Sequence, residues 1–310
     1  MLVSIVIPLY NKGFIINKTI NSVLKQTYTN FEIIIINDGS TDNSNNVVSR
    51  FTDNRIKIYN QENKGASVAR NCGIEKSSGE LIAFLDADDY WHTNHLEELV
   101  KLYQDYPDCG MYCSRYSIKI SNFKTISTSY KPSINNSFRG VIPDYFEGSL
   151  RFRIGLTSAL AIPKYLLKDN YLFNPNISTC QDLELFTKIA IAYKTALTNK
   201  VTVEYNFSID GQLSKVPIYN QYLLDFEQFN SEEIKNKSLN KFLDIYRLEF
   251  GLKFRIFGDI EKSTLYIDEI KTKIPVKTQV LLITPPFILR RILSLKHWLQ
   301  KKGIYFSIYQ

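Results

Sequence analysis

Two aspartates lie two residues apart directly after an apolar stretch: Asp86 and Asp88 follow residues 81–85. Divalent cations such as Mg²⁺ and Mn²⁺ prefer oxygen ligands and bind through one or two carboxylates together with substrate phosphates. The pair therefore predicts a metal that bridges the protein to a diphosphate, although Asp is also common in ordinary solvated turns. Asp38 follows another apolar stretch, which favours the functional interpretation.

The elements that must position these acids alternate between strands and helices over the first hundred residues. Helical segments separate four apolar stretches of strand length, which are Val3–Leu9, Phe31–Ile36, Ile56–Tyr59 and Leu81–Leu85. This alternation predicts an α/β fold with a mostly parallel sheet flanked by helices. Such sheets bind ligands at the carboxyl ends of their strands, where the aspartates are expected. We expect residues 115–150 to form a long loop or an irregular excursion.

The turn after the first strand argues against a dehydrogenase. Residues 8–13 read Pro-Leu-Tyr-Asn-Lys-Gly, whereas a dinucleotide site needs Gly-x-Gly-x-x-Gly at this position. The sequence also has neither a Walker A loop nor a Gly-x-Ser-x-Gly elbow. The four cysteines are scattered and do not form the framework of a disulfide-rich secreted protein, which favours a cytoplasmic location with reduced thiols.

Four motifs in sequence order resemble those of inverting family-2 glycosyltransferases, of the kind that build bacterial surface polysaccharides. They are Ile5–Asn11, Ile35–Asp42, Asn63–Asn71 and Phe84–Asp89. The resemblance is strong over roughly residues 1–115 and weak over 150–215. It implies the GT-A fold and a nucleoside diphosphate sugar, most often a UDP-sugar, as donor. It also implies a divalent metal, Mn²⁺ or Mg²⁺.

The resemblance also implies roles for individual residues. Tyr10 would border the base, and Asp38 would accept a hydrogen bond from the uracil N–H. Arg70 would lie near the base or the diphosphate, or could be only a surface salt-bridge partner. Asp86 would reach the ribose or the metal, and Asp88 would hold the metal against the diphosphate. The other donor-site residues within these motifs are Pro8, Asn11, Lys64 and Ala87.

The family usually supplies its catalytic base from a Glu-Asp pair at the start of a helix. Here the pair reads Gln181-Asp182, so the Glu is replaced and Asp182 is the expected base. Asp182 could instead only cap the helix. Glu184 is the alternative base, but at two residues' distance it should face another side of the helix.

The residues after the metal motif are expected to meet the acceptor. Asp89 and Trp91 are the candidates, and Trp91 could either stack on an acceptor sugar or belong to the core. His92 and His95 are not spaced as metal ligands, and we expect them at the surface.

The charge of the chain is distributed unevenly. The net charge is +7, yet no acidic residue follows Glu269, while residues 271–310 carry eight basic ones. A neutral body argues against nucleic acid as a partner. The segment Phe287–Lys302 predicts a helix with basic residues and an apolar stripe, which consists of Ile288, Ile292, Leu295 and Leu299. This pattern is typical of a helix that lies on an anionic membrane surface, although the helix could instead pack on the protein.

Together these features predict a GT-A catalytic domain at residues 1–215 and a helical extension at 216–310. Residues 1–115 would bind the nucleotide sugar, and 116–215 would hold the acceptor and the catalytic base. The expected enzyme is a hexosyl- or N-acetylhexosaminyltransferase, peripheral on the inner face of a bacterial plasma membrane. Its acceptor would be a glycan linked to polyprenyl diphosphate, as in O-antigen or capsule assembly. The alternatives are a polyprenyl-phosphate sugar transferase and a non-catalytic nucleotide-sugar-binding subunit.

Overall fold

The computed structural model describes residues 1–121, 123–130, 135, 137–209 and 216–301. The chain divides into two compact units. The first comprises Met1–Lys215 and Tyr222–Leu224, and the second comprises Val216–Gln221 and Asp225–Gln310.

One sheet of ten strands, counted over the described residues, forms the centre of the first unit. The strands are β1 (Val3–Leu9), β2 (Phe31–Asp38), β3 (Ile56–Gln61), β4 (Leu81–Phe84), β5 (Tyr90–Trp91), β6 (Cys109–Ser121), β7 (Lys124–Ser127), β8 (Arg139–Val141), β9 (Leu160–Pro163) and β10 (Lys194–Asn206). Their order is β3-β2-β1-β4-β9-β6-β10-β5, with β7 beside β6 and β8 beside β10. The pairs among β3, β2, β1 and β4 are parallel, as is β6 with β10, whereas β9 is antiparallel to both of its neighbours.

Helices flank this sheet, as the alternation predicted. They are α1 (Ile16–Leu24), α2 (Ser44–Val48), α3 (Ala66–Lys76), α4 (His95–Asp105), α5 (Tyr145–Gly148) and α6 (Gln181–Ala192). Residues 33–36 of β2 are completely buried, which is typical of a parallel strand covered on both faces. Helix α3 lies so close to β1 that a Cβ added at Gly73 would be 2.3 Å from Val6 Cγ1.

The predicted long loop at residues 115–150 is wrong over much of its length. Strand β6 continues to Ser121, and β7, β8 and α5 follow within the same stretch. The segment is polar, so its sequence lacks the apolar pattern of a strand. It is nevertheless extended because its backbone hydrogen bonds are completed by β7, which follows it as a hairpin, and by β10, which is distant in sequence.

The second unit is helical. Its helices are α7 (Asn230–Lys235), α8 (Lys237–Phe257), α9 (Ile260–Asp268), α10 (Val276–Ile283) and α11 (Pro286–Lys301). The side chain of Asn236 caps α8 by accepting from the N–H groups of Ser238 and Leu239. Gly258 ends the same helix with φ of 94°, a conformation that favours glycine. Among the described residues, no helix combines the length and apolar character that crossing a membrane requires.

A buried ion cluster connects the helices of this unit. Arg247 is 1% exposed and donates two hydrogen bonds to Glu233, at 2.6 and 2.8 Å, and one to Asp244, at 2.9 Å. Lys271 also pairs with Glu233. The backbone N–H groups of Lys271 and Thr272 donate to Asp244 at 3.1 and 2.8 Å. The cluster therefore fixes α7, α8 and the segment after α9 to one another.

The predicted apolar stripe of the last helix is only partly exposed. Ile288 and Leu295 are exposed, whereas Ile292 and Leu299 are half-buried and Leu289 is buried. Exposed apolar side chains continue along α10 and α11, and we call them the apolar face of α10–α11; they are Val276, Val280, Ile283, Phe287, Ile288, Leu295 and Trp298.

Candidate active site

The carboxylate of Asp38 lies at the carboxyl end of β2 and is 3% exposed. Its Oδ1 accepts hydrogen bonds from Gln61 Nε2 at 2.7 Å and from the N–H of Lys64 at 2.9 Å, and its Oδ2 accepts from the N–H of Gly65 at 2.9 Å. A carboxylate offers about four acceptor positions, so one remains for a ligand. Asp38 also fixes the backbone of Lys64, whose side chain is exposed.

The turn between β1 and α1 is held by hydrogen bonds to residues 41–44, which follow β2. Asn11 has φ of 50°, and its Oδ1 accepts from the N–H of Thr41 at 2.8 Å. The N–H of Lys12 donates to Ser44 Oγ at 2.9 Å. Tyr10, the residue before this turn, is 46% exposed. The turn therefore presents an accessible aromatic ring and a lysine from a constrained backbone.

Asp86 and Asp88, which follow β4, are each paired with a cation. Arg70 of α3 donates to Asp86 at 2.7 Å, and the Lys12 ammonium lies 2.9 Å from Asp88. The Arg70 guanidinium also lies over the ring of Phe173, 5.2 Å from its centroid. Arg70 Nε is buried and has no hydrogen-bond partner within the described part of the chain, so the guanidinium is held by its bond to Asp86 and by the Phe173 ring.

Burial and two neighbouring charges act on the pKa of Asp88. Burial raises the pKa of Asp88, and the neighbouring charge of Asp86 adds to this, while the Lys12 ammonium opposes it. The net direction is upward. Such a carboxylate needs a close cation to stay ionised, and Lys12 is the cation in contact with it.

The two remaining residues predicted for the donor site, Pro8 and Ala87, lie near the carboxyl ends of β1 and β4. Pro8 is the sixth residue of β1, two before Tyr10. Ala87 is buried, and its carbonyl accepts a hydrogen bond from Thr19 Oγ1 at 2.9 Å. The structure thus brings the turn of β1, the end of β2 and the end of β4 to one edge of the sheet.

The two acceptor candidates are buried, which does not fit contact with a sugar. Trp91 is 0% exposed within the core, and its Nε1 donates to the carbonyl of Ser158 at 2.7 Å. Asp89 is 2% exposed and accepts from Ser158 Oγ and from the N–H of Asn206. Burial raises the pKa of Asp89 well above its ordinary value. Both residues are buried beneath the end of β4, and of the two interpretations of Trp91 the structure supports the core residue.

The expectation that His95 lies at the surface is wrong. The ring is 0% exposed, packs on Trp91 at 4.3 Å between centroids, and its Nδ1 is 2.8 Å from Thr202 Oγ1. Burial lowers the pKa of His95 to about 3, so the ring is neutral.

Asp182 lies in the first turn of α6, after Cys180 in a left-handed conformation. Its carboxylate pairs with Arg153 and accepts from the N–H of Leu183 at 2.8 Å and from Thr157 Oγ1 at 3.3 Å. Burial raises the pKa of Asp182, but the Arg153 guanidinium outweighs this effect and holds it below the usual range. The charge of Arg70 acts in the same direction. Asp182 is therefore ionised and electrostatically linked to the cation that pairs with Asp86.

The neighbouring acid and amide on α6 have other partners. Glu184 is 3% exposed and accepts from Lys188 Nζ at 2.6 Å and from Asn174 Nδ2 at 3.4 Å. Gln181 is buried, and its side chain donates to the carbonyl of Ser178 at 3.4 Å. Glu184 thus has partners distinct from those of Asp182.

The chemistry of Asp86 and Asp88 fits a divalent metal bound together with a substrate. Over the described residues, no group of three or more His, Cys, Asp and Glu side chains could hold a metal alone. A metal that shares its coordination sphere with diphosphate oxygens and water needs only one or two protein carboxylates. The two aspartates supply these, provided that the cations now paired with them give way.

Sequence reasoning named Arg70 but missed two other cations that pair with acids of the site. Lys12 and Arg153 contact Asp88 and Asp182 respectively. Lys12 directly follows the motif Ile5–Asn11, and its charge beside a predicted diphosphate site was the available signal. Arg153 lies in a stretch without a recognisable pattern, so the sequence offered no comparable signal.

Comparison with known proteins adds three findings. The model of a family described as Glycosyl transferase family 2 matches residues 4–159. The chain is 32% identical over 257 residues to an uncharacterized glycosyltransferase of Rickettsia felis, covering 77% of this chain and 38% of that protein. It is 47% identical over 102 residues to UDP-Glc:alpha-D-GlcNAc-diphosphoundecaprenol beta-1,3-glucosyltransferase WfgD of Escherichia coli, covering 33% of this chain and 40% of that protein.

A solved structure shares the fold. The crystal structure of S. aureus TarS 1–349 in complex with UDP superposes with a TM-score of 0.59 and 17% sequence identity. The superposition covers 86% of this chain and 90% of the TarS chain. At this identity the likeness concerns the architecture, a mostly parallel sheet flanked by helices with a helical C-terminal region.

Proposed function

Because this chain belongs to glycosyl transferase family 2, we propose that it is an inverting transferase that moves one sugar from a UDP-sugar to a lipid-linked or growing surface polysaccharide. The observation that carries the proposal is the sheet edge that presents Asp38 together with the ion pairs Asp86–Arg70 and Asp88–Lys12. WfgD, whose name specifies a UDP-Glc donor and a diphosphoundecaprenol-linked acceptor, supports the donor and acceptor classes.

Donor recognition begins at the base. The exposed ring of Tyr10 offers an apolar face to uracil, and the remaining acceptor position of Asp38 would take the uracil N–H. Asp38 also positions the turn that contains Lys64, because it accepts a hydrogen bond from the N–H of Lys64. The Arg70 guanidinium, which pairs with Asp86 at the same edge, would lie near the base or the diphosphate.

A divalent metal, Mn²⁺ or Mg²⁺, would be held by Asp88 and Asp86 together with the diphosphate. When bound, it offsets the negative charge that develops on the leaving nucleotide. Ser158 holds the backbone that carries the two aspartates, because its Oγ–H donates to Asp89 and its Oγ accepts from the N–H of Asp86 at 3.0 Å.

Inversion in a single displacement requires a base that takes the proton of the acceptor hydroxyl. We assign this role to Asp182, whose carboxylate is ionised and whose side chain is 20% exposed, so it remains accessible to an acceptor. Arg153 and Thr157 hold the carboxylate in place. Residues 1–115 would then bind the donor, 116–215 would supply the base, and 216–310 would form a helical extension.

The helical extension would bring the enzyme to its acceptor. The apolar face of α10–α11 includes Phe287, 62% exposed, and Trp298, 50% exposed, and Arg290 and Arg291 are exposed on the same helix. Apolar and aromatic side chains next to basic ones suit an anionic lipid leaflet. We therefore propose a peripheral position on the inner face of a bacterial plasma membrane, where a polyprenyl-diphosphate-linked glycan would be accessible.

A donor screen tests the enzymatic part of the proposal. Thermal unfolding is measured with Mn²⁺ and a panel of nucleotide sugars, and transfer to a synthetic polyprenyl-diphosphate-linked acceptor is then assayed with the protecting donor. We expect a UDP-sugar to raise the unfolding temperature and Asp88→Asn to abolish the Mn²⁺-dependent part of that rise. Protection by no nucleotide sugar would refute donor binding, and protection without transfer to any glycan would leave a binding subunit.

A vesicle experiment tests the membrane part separately. The combined change Phe287→Ser, Leu295→Ser and Trp298→Ser should prevent co-sedimentation with vesicles containing phosphatidylglycerol. The matched control is Ile234→Ser, because Ile234 is 85% exposed on α7, outside the apolar face. The control should bind vesicles like the unmodified protein. Equal binding by the triple variant would show that this face does not meet lipid.

A further inference from the structure

Lys12 is a cation in direct contact with a predicted metal ligand. Its Nζ lies 2.9 Å from Asp88 Oδ2, and the two side chains are only 13% and 9% exposed. An ion pair so shielded from water is screened weakly. A divalent cation that approaches Asp88 must therefore displace the ammonium or share the carboxylate with it.

The position of Lys12 follows from the backbone rather than from a flexible surface side chain. The N–H groups of Lys12 and Gly13 donate to Ser44 Oγ at 2.9 Å and Asp42 Oδ2 at 3.0 Å. A Cβ added at Gly13 would lie 1.9 Å from Asn43 Oδ1, so the turn is closely packed. The turn thus delivers the lysine to Asp88 from a fixed point.

We propose that Lys12 is a resident counter-cation of Asp88 that makes metal binding depend on the donor. Without a nucleotide, Lys12 neutralises Asp88, and a metal gains little by competing for it. A diphosphate brings its own negative charge, which attracts both the metal and the released ammonium. Lys12 then moves from the carboxylate to the diphosphate and acts as a positioning residue for the donor. This inference rests on the proposed use of a nucleoside diphosphate sugar.

The proposal predicts effects of opposite sign on the two ligands. Lys12→Met should bind Mn²⁺ alone about tenfold more tightly than the unmodified protein, the order expected when a shielded competing charge is removed. The same variant should bind UDP in saturating Mn²⁺ several-fold more weakly, because the diphosphate loses a cation. A residue that only supported the fold would not produce these opposite changes.

The test titrates Mn²⁺ into the full chain and follows the free ion by electron paramagnetic resonance, with and without UDP. Lys12→Arg retains the charge and should keep weak binding of Mn²⁺ alone. Lys12→Gln can still donate to Asp88 and serves if Lys12→Met does not fold; it should change both affinities in the same directions. The matched control is Lys18→Met, because Lys18 is an exposed lysine of α1.

The outcomes separate this inference from the proposed function. Tighter Mn²⁺ binding by the neutral variants without UDP, together with weaker UDP binding in Mn²⁺, supports the counter-cation role. Unchanged Mn²⁺ affinity in the neutral variants refutes it, even if UDP binds normally and transfer proceeds. If the unmodified protein binds no UDP at any Mn²⁺ concentration, the proposed function itself fails.

Discussion

Replacing Asp182 by Asn separates the proposed base from donor binding. The amide keeps the size of the side chain, and its Oδ1 can still accept from the N–H of Leu183, 2.8 Å away. The NH₂ group that replaces Oδ2 cannot accept from Thr157 Oγ1, 3.3 Å away, but can donate to that hydroxyl. It cannot take a proton at neutral pH. We expect UDP affinity to be unchanged and transfer to fall by about two to four orders of magnitude, the usual contribution of general-base catalysis.

The structural cost of this change can be estimated separately. Asn leaves the Arg153 guanidinium without its carboxylate, and the two side chains are 17% and 20% exposed. Because water reaches the pair, the loss of stability should be about 1–3 kcal/mol, less than for a fully buried pair. That lowers the unfolding temperature by some degrees and leaves the enzyme folded at 25 °C, where transfer is assayed. The loss of rate is therefore not a loss of folded protein.

Two controls decide whether the base or the ion pair matters. Arg153→Met breaks the same ion pair but keeps the carboxylate, so transfer should fall much less than in Asp182→Asn. Glu184→Gln makes the same acid-to-amide change on the same helix, where the carboxylate pairs with Lys188, and should have little effect. If Glu184→Gln is the more damaging change, the base is Glu184. If Arg153→Met matches Asp182→Asn, the ion pair rather than proton transfer explains the loss.

The pH dependence of transfer gives an independent check on the same residue. Since Arg153 holds the pKa of Asp182 below 3.8, the carboxylate is ionised throughout the range from about pH 5 to 8. We expect no loss of rate from this group within that range. Arg153→Met removes the main cause of the depression, so any acid limb of the profile should move to higher pH.

The remaining predictions concern stability, measured as the free energy of unfolding in urea. Burial lowers the pKa of His95 from 6.5 to about 3. Below about pH 6.5 the unfolded chain therefore binds a proton that the folded chain does not. The free energy of unfolding should fall as the pH drops below this value, by about 2 kcal/mol at pH 5. His95→Gln should flatten this profile, and an unchanged profile would contradict a buried neutral ring. Arg247→Met should cost about 3–5 kcal/mol because it removes the cation that pairs with the buried carboxylate of Asp244 and two of the hydrogen bonds to Glu233. A loss below about 1 kcal/mol would show that the cluster is dispensable. Gly73→Ala should cost about 1–3 kcal/mol by overpacking α3 on β1, and Val6→Ala should restore part of it; equal costs in both backgrounds would reject that contact.

Local patterns in the sequence determined the strands, the order of the motifs and the family. Val3–Leu9 is an apolar run whose length and flanking turn residues suffice for a strand, and it is observed with those bounds. The acids at 38, 86 and 88 could be placed at one edge because parallel strands end on the same side of a sheet. These inferences need only neighbours in sequence and a general rule of sheet geometry.

Other features depended on contacts between distant parts of the chain, and only the tertiary structure decided them. The polar strand β6 exists because β10 pairs with it, and Trp91 and His95 are buried because β10 lies beside them. The cation beside each acid is likewise a tertiary property, since no periodicity relates residue 12 to 88 or residue 153 to 182. The sequence shows that Lys12 places a charge next to a motif. Which carboxylate this charge neutralises depends on how the turn that carries Lys12 packs against the end of β4. That pairing sets the electrostatics of the candidate site, and it becomes visible only when the chain is folded.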